Sequence, residues 1–361
     1  MRVAILGAGI SGLSCAISLE KQGVAPVIFE KRNCPGDRFV NAEAMFSILN
    51  RPVKDCIPYL ANKYDIHLSP IDEVEKLVLH SKNKTGSING KIGYTNIRGR
   101  QENSFECQLA RQVKSEIKYH SVMDYQQAVK DFDYVILATG DGAYSSQLGN
   151  YRCDLTCSIK GALVEGVFET TTPHVWFNCA LLPKGYAWVI PYSEKEANMV
   201  IAYPDYPENE ALDINQIWNS FYDLACKDLD QNFRITDQFE IRHYLMGICN
   251  SPKINQTYFV GNCFGALSPG LGFGQFTSIL TGIYAAYDIC GLGKYETFVK
   301  PLFKNYKNSL VLRRFLERLD DDRFDLLVNS VNLKLIDSVV SHLFGSQSSF
   351  DLLKWLTPFL S

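Results

Sequence analysis

Apolar and polar positions divide this chain into three kinds of segment. Val3-Ala-Ile-Leu6 is an unbroken apolar run that stops at Gly7, the pattern of a strand covered on both faces. An apolar stretch with helical spacing begins at Ile10, and Pro26-Val-Ile-Phe-Glu30 predicts a second strand. Asp133-Tyr-Val-Ile-Leu-Ala-Thr-Gly140 and Gln256-Thr-Tyr-Phe-Val-Gly261 repeat the covered-strand pattern and also end on glycine. Such runs read as parallel strands that stop at a ligand crevice. Between 158 and 204 the pattern changes to short alternating stretches: Gly161-Ala-Leu-Val-Glu-Gly-Val-Phe168, Val175-Trp-Phe177, Tyr186-Ala-Trp-Val-Ile190 and Asn198-Met-Val-Ile-Ala-Tyr203. That period predicts an antiparallel sheet with one packed face and one open face. Residues 211–230 and 274–290 read as helices, and 296–361 as mostly amphipathic helix. No internal repeat or low-complexity linker breaks the series.

The first turn carries chemistry. Gly7-Ala-Gly9-Ile-Ser11-Gly12 is a G-x-G-x-x-G run in the setting that gives it meaning, with a strand before it and a helix after it. Gly7 permits the tight turn, and Gly9 lets the backbone approach a pyrophosphate. Gly12 allows the helix to pack closely on the strand, while the helix N-terminus at Ser11 offers N–H groups to phosphates. Glu30, 18 residues past Gly12 and followed by Lys31, is placed to accept a hydrogen bond from a ribose 2′-hydroxyl.

Composition narrows the rest. A chain of 361 residues exceeds one compact domain, so two are expected. With 36 Lys and Arg against 39 Asp and Glu, nothing in the charge argues for nucleic acid. Eleven cysteines without a C-x-x-C pair read as reduced, buried thiols of a cytoplasmic protein, and six dispersed histidines show no metal-ligand spacing. The glycine fingerprint lies inside the apolar N-terminus, which argues against a cleaved leader, and no uncharged apolar run of about 18 residues is present to span a bilayer. The 19 Tyr, 21 Phe and 4 Trp suit either a large core or an apolar ligand cavity.

A second glycine-rich strand-to-helix junction follows late in the chain, Gly261-Asn-Cys-Phe-Gly-Ala-Leu-Ser-Pro269-Gly-Leu-Gly272-Phe-Gly274. It could meet the far end of a long cofactor with another set of helix N–H groups. Together with Pro183-Lys-Gly-Tyr186-Ala-Trp188-Val-Ile-Pro191 and Ala138-Thr-Gly140-Asp141-Gly142-Ala-Tyr-Ser145, it resembles the FAD enzymes of the p-hydroxybenzoate hydroxylase superfamily, in particular the geranylgeranyl reductase family. The late motif is similar to that family's G-D-A-A-G-x-x-x-P-x-x-G-x-G, with Asn262 in place of the aspartate. The aromatic stretch is similar to its P-x-x-Y-x-W-x-F-P, with Ile190 in place of phenylalanine. Leu312-Arg-Arg-Phe-Leu-Glu-Arg-Leu and the following Asp-Asp-Asp-Arg-Phe-Asp-Leu-Leu look like the reductases' C-terminal helices.

The resemblance implies an α/β fold: a Rossmann-type FAD-binding domain from 1–60, 95–150 and 255–295, an inserted antiparallel β-sheet substrate-binding domain from 61–94 and 151–254, and a C-terminal helical segment, 296–361. It implies FAD contacts at Gly7, Gly9, Ser11, Gly12, Glu30, Lys31, Arg38, Val122, Ala138, Gly140, Asn262, Gly272, Phe273, Gly274 and Gln275. Tyr94-Thr-Asn-Ile-Arg98-Gly-Arg100, ahead of Phe105-Glu-Cys-Gln-Leu-Ala110, is similar to a Y-x-x-x-R…F-D-x-x-L-A pattern whose arginine contacts FAD, so Arg98 or Arg100 fills that place. Tyr186, Trp188 and Pro191 are the implied substrate residues; Tyr186 and Trp188, two apart on a strand, share a face. Where some archaeal reductases carry a cysteine, this chain has Asn41 in Val40-Asn41-Ala-Glu43-Ala, which leaves Glu43 as the nominee for proton donor.

Three reactions stay open: saturation of a carbon–carbon double bond in an isoprenoid or lipid-like chain, oxygen-dependent hydroxylation, and halogenation. The last needs a lysine between flavin and substrate, for which Lys76 in Asp72-Glu-Val-Glu-Lys76 is the candidate. A flavin-bearing binding protein without turnover stands beside them. The expected donor of electrons is NAD(P)H or reduced ferredoxin, since no second dinucleotide fingerprint follows. The apolar end Leu352-Leu-Lys-Trp-Leu-Thr-Pro-Phe-Leu360 suggests peripheral membrane contact.

Overall fold

A computed structural model describes residues 1–36, 41–50 and 52–331. Arg38 and Leu352–Leu360 lie outside the described residues. In chain order the strands are β1 (Val3–Leu6), β2 (Val27–Phe29), β3 (Asn41–Phe46), β4 (Asp72–His80), β5 (Thr85–Arg98), β6 (Ile117–Lys118), β7 (Tyr134–Leu137), β8 (Tyr151–Glu165), β9 (His174–Trp176), β10 (Tyr186–Pro191), β11 (Glu196–Pro204), β12 (Arg234–Cys249), β13 (Lys253–Ile254) and β14 (Thr257–Phe259). The helices are α1 (Ile10–Lys21), α2 (Cys56–Tyr64), α3 (Phe105–Ala110), α4 (Tyr125–Asp131), α5 (Ala143–Gln147), α6 (Ile214–Asp228), α7 (Gln275–Ile289), α8 (Tyr295–Leu316) and α9 (Asp321–Ser330).

Two sheets result. The first runs β13-β14-β7-β1-β2-β6 and is parallel except where β13 meets β14. All four side chains of β1 are buried, as its unbroken apolar run predicts. Helix α1 buries ten successive residues, Ile10 to Leu19, because it is enclosed between this sheet and α7. The second sheet runs β12-β8-β11-β10-β9-β4-β5-β3. Its alternation is strict on β10 and β11. Ala187, Val189, Met199 and Ile201 pack against Ile214, Ile217, Trp218 and Phe221 of α6, whose helical spacing puts those four on one side. The opposite face carries Tyr186, Trp188, Val200 and Ala202 and stays open.

The division of the chain at 60/61 and 94/95 does not follow these sheets. Strand β3 pairs with β5 from Asn41↔Arg98 to Phe46↔Gly93, so both 41–46 and 95–98 belong to the second sheet. The sixteen-residue β12, paired along β8, adds an edge strand that the alternating run at 158–204 does not announce.

In the second sheet buried His80 pairs with the half-buried imidazole of His174. His80 Nε2 is 3.1 Å from His174 Nδ1, and His80 stacks on Trp176 with ring centroids 4.5 Å apart. Trp176 Nε1 donates to Asp228 at 2.8 Å. Burial depresses both imidazoles; His174 falls to about 4, with His80 and Lys76 adding to the effect, while Asp228 opposes it at His80. Folded values below the unfolded value mean that the unfolded chain takes up protons first as pH drops. Stability from this pair is therefore complete above about pH 7 and declines from pH 6.5 downward, by at most about 1.4 kcal/mol per pH unit for each group. A thermal midpoint that falls between about pH 6.5 and 5, and falls less in His174→Gln, is expected; a flat wild-type profile would contradict the arrangement.

Candidate cofactor and substrate crevice

The sheets meet along a crevice of about 720 Å³, inside the range of ligand cavities, roughly 300–1,000 Å³. At its first-sheet end lie Gly7, Gly9, Ser11, Glu30, Lys31, Val122, Ala138 and Gly140; its middle is bounded by Asn262 and the Gly272–Gln275 loop. Its far end is the open face of the second sheet, with Val175, Tyr186, Trp188, Ile190, Val200, Ala202, Phe239, Ile241 and Met246.

The first turn is built to leave space. Gly7 adopts φ +117°, and a Cβ there would lie 2.3 Å from Ala138 O. A Cβ on Gly12 would lie 2.1 Å from Gly7 O, so Gly12 sits beneath the turn and does not line the crevice. Around Gly9 an added Cβ meets nothing within 4 Å. Asp55, Ser104, Asp124, Asp213 and Asp320 cap α2, α3, α4, α6 and α9 through their side chains, whereas α1, α5, α7 and α8 have no side-chain cap; of these, α1 and α7 begin at glycines that line the crevice, Gly9 and Gly274. Two sets of unfilled helix N–H groups thus open toward one crevice, the donor chemistry a diphosphate and a flavin carbonyl edge require. Glu30 Oε2 accepts from Ala8 N at 2.8 Å and Oε1 from Arg32 N at 3.0 Å, which fixes the carboxylate and leaves lone pairs for a ribose hydroxyl. The Asn41 carbonyl oxygen is buried beside the crevice without a partner among the described residues. Uncapped donors, the open space at Gly9 and that acceptor fit a dinucleotide lying along the crevice.

Of the two arginines, strand direction puts one at the crevice. Arg98 ends β5 on the crevice side, where Nη1 donates to Glu43 at 3.0 Å and Nε to Glu106 at 2.7 Å. Burial works against its charge, and the two carboxylates more than offset this, holding the guanidinium above its ordinary range. Arg100 lies beyond Gly99 on the exposed side, 3.4 Å from Asp237, and does not line the crevice. Glu43 accepts on both oxygens, from Arg98 and Gln275 on Oε2 and from Asn41 on Oε1. Gln275 in turn exchanges hydrogen bonds with buried Asn96. Both Glu43 oxygens thus serve as acceptors, and the carboxylate lines the crevice.

Tyr186 and Trp188 stand side by side, ring centroids 5.4 Å apart, as their spacing predicts. A Cβ on Gly272 would lie 3.0 Å from Tyr186 Oη, so the glycine loop touches the aromatic wall directly. Pro191 does not reach the crevice: at an odd position of β10 it shares the parity of Ala187 and Val189 and is buried outside the lining. Asn262 Nδ2 donates to Gly140 O at 3.1 Å and to Tyr244 Oη at 2.7 Å, tying the late glycine motif to the β7 turn. Lys76 is exposed on β4, and Lys31 is the one lysine lining the crevice among the described residues, beside Glu30 at the end away from the aromatic wall. Glu106, Tyr244 and the β12 residues Phe239, Ile241 and Met246 were not anticipated. Glu106 had a signal, the acid of the Phe105-Glu pair, and Phe239-Glu-Ile241 alternates with strand period.

Residues 1–149 match the family described as pyridine nucleotide-disulphide oxidoreductase. Over the whole chain the fold is similar to a geranylgeranyl bacteriochlorophyll reductase-like protein from Thermoplasma acidophilum, with TM-score 0.74 at 16% identity, covering 99% of this chain and 98% of that one. It is also similar to a flavin-dependent brominase, with TM-score 0.70 at 16% identity over 100% and 97% of the two chains. A flavoprotein/dehydrogenase from Cytophaga hutchinsonii matches with TM-score 0.67 at 14% identity over 100% and 99%. At these identities the likeness is one of fold. The family match over residues 1–149, the fold and the crevice together fit a dinucleotide such as FAD at this site.

Proposed function

We propose that this chain reduces carbon–carbon double bonds in an isoprenoid or lipid-like substrate. The observation that carries the reading is the far end of the crevice, where the side chains of four strands, β9 to β12, present an apolar wall continuous with the glycine loop. Held between the first-sheet end and the Gly272–Gln275 loop, FAD would, once reduced by two electrons, supply hydride from N5 to the double bond. The protein's part is to hold and exclude. The N-termini of α1 and α7 hold the cofactor's polar groups, and Glu30 fixes its ribose. Arg98, Glu43, Gln275 and Asn96 form a rigid polar floor that keeps the α7 N-terminus in place. Tyr186, Trp188, Ile190 and Phe239 remove water from the chain being reduced, at about 0.8 kcal/mol per buried CH₂. Water entering from the crevice mouth supplies the proton. Electrons arrive from NAD(P)H or reduced ferredoxin as a transient visitor.

A hydroxylase would use the same cofactor cradle, but the apolar far end offers few polar groups to orient a phenolic ring. Halogenation lacks its lysine among the described residues near the aromatic wall. Anaerobic photoreduction of the FAD-loaded protein followed by addition of a geranylgeranyl lipid tests the reading. Recovery of the oxidised flavin spectrum without oxygen is expected. Recovery with oxygen alone would favour a monooxygenase, and a protein that no donor reduces would be a binding protein.

A further inference from the structure

Strand β12 carries an extra residue where it borders the crevice. Ile241 pairs with Ile159 and Tyr244 with Cys157, so three steps along β12 match two along β8. Residues three apart on a regular strand face opposite ways. The bulge brings Ile241 and Tyr244 to the same side, and both line the crevice. It also puts His243 at φ +53°, a left-handed conformation unfavourable for a residue with a Cβ. His243 Nδ1 donates to Asp205 Oδ2 at 3.1 Å, and Ser158 Oγ donates to Asp205 Oδ1 at 2.6 Å, which holds the bulge in place.

What the bulge delivers is the Tyr244 hydroxyl. It donates to Gly140 O at 3.3 Å and accepts from Asn262 Nδ2 at 2.7 Å, while Nδ2 donates also to Gly140 O at 3.1 Å. A carbonyl oxygen only accepts, and a hydroxyl whose hydrogen is committed to that carbonyl must accept as well. Both neighbours therefore call for the amide nitrogen of Asn262, and the orientation of the amide is fixed. Its Oδ1 accepts from no described residue and is the part of this side chain left for a bound molecule in the middle of the crevice. With a diphosphate at Gly9 and a flavin edge at Gly274, that middle would hold the ribityl chain, whose hydroxyls donate.

We propose that Tyr244 is a positioning residue for the cofactor. It locks Asn262 with the amide oxygen presented, so that a ribityl hydroxyl of FAD meets a neutral acceptor that follows the first sheet and is oriented by the second. This rests on FAD as the occupant of the crevice and not on the reaction proposed above.

Release of FAD on dilution of the loaded protein, read as recovery of flavin fluorescence, tests this without turnover. Asn262→Ala is expected to hold FAD about tenfold more weakly than wild type and Tyr244→Phe about fivefold, the range of one hydrogen bond between neutral partners. In the Asn262→Ala background, Tyr244→Phe is expected to cost nothing further, because a hydroxyl that acts through the amide has nothing left to orient. Asn262→Asp checks the locked amide. Its carboxylate has no hydrogen for Gly140 O, so it should bind FAD no more tightly than wild type, although a charged acceptor makes the stronger hydrogen bond. Equal losses from Tyr244→Phe with and without the Asn262 side chain would overturn the proposal, since a packing role or a direct contact adds independently. A Tyr244→Phe protein that holds FAD as wild type does, or an Asn262→Asp protein that holds it more tightly, would overturn it too. A wild type that cannot be loaded with FAD would remove the cofactor along with the inference. The expected cycle without anaerobic reoxidation by a lipid would leave the inference and remove the reaction.

Discussion

Gly9→Val is expected to give a folded, colourless protein. Gly9 has φ −85° and ψ 178°, a conformation valine adopts readily, and an added Cβ meets nothing within 4 Å. The space it would fill is the space left for a diphosphate at the start of α1. Affinity for FAD should drop at least about a hundredfold, equivalent to roughly 2.7 kcal/mol, while the thermal midpoint matches that of wild type stripped of FAD. Gly12→Val is the contrasting control: its Cβ would sit 2.1 Å from a backbone oxygen, so it should lose folding and flavin together. Absorbance of the purified protein and a melting curve read both outcomes. A yellow Gly9→Val protein would place the cofactor elsewhere.

Ala202→Trp is expected to leave the protein yellow and abolish most activity toward long-chain substrates. Ala202 lies directly across from Tyr186 in the β10–β11 register and lines the crevice. An indole there would occupy the length of several methylenes, each worth about 0.8 kcal/mol when buried, so kcat/KM should fall on the order of a hundredfold. The loss should appear as weaker binding, with flavin photoreduction unchanged. Turnover of a short prenyl substrate should be affected less. Equal loss for short and long chains would mean that the hydrocarbon does not run along this face.

In the first sheet β1, β7 and β14 are legible as short, largely apolar runs closely followed by glycine, and β2 as an apolar run ending at Glu30, whereas the two-residue β6 and β13 carry no such pattern. The second sheet is legible only where alternation is clean. Strand β12 is interrupted by register shifts at Ile235/Asp237, Ile241/Tyr244 and Met246/Gly247, which break its period, and β4 opens with four charged positions among its first five. At the site, period two correctly places Tyr186 and Trp188 together, and the same rule, carried one step further, excludes Pro191. Partnership was the harder matter. The hydrogen bonds that Glu43 accepts come from Arg98 and Gln275, which lie 55 and 232 residues away.

The uncapped starts of α1 and α7 at the crevice carry a consequence for the life of the protein in a cell. Helices α1 and α7 pack against each other at the centre of the largest core cluster, and both end at donors left for a ligand. A ligand that fills them binds the native state and not the unfolded chain, so every hundredfold excess of free flavin over its dissociation constant adds about 2.7 kcal/mol to folding. The steady amount of this protein is thereby set in part by flavin supply: starvation for the vitamin would deplete it through degradation of the unfilled form before any loss of its transcript.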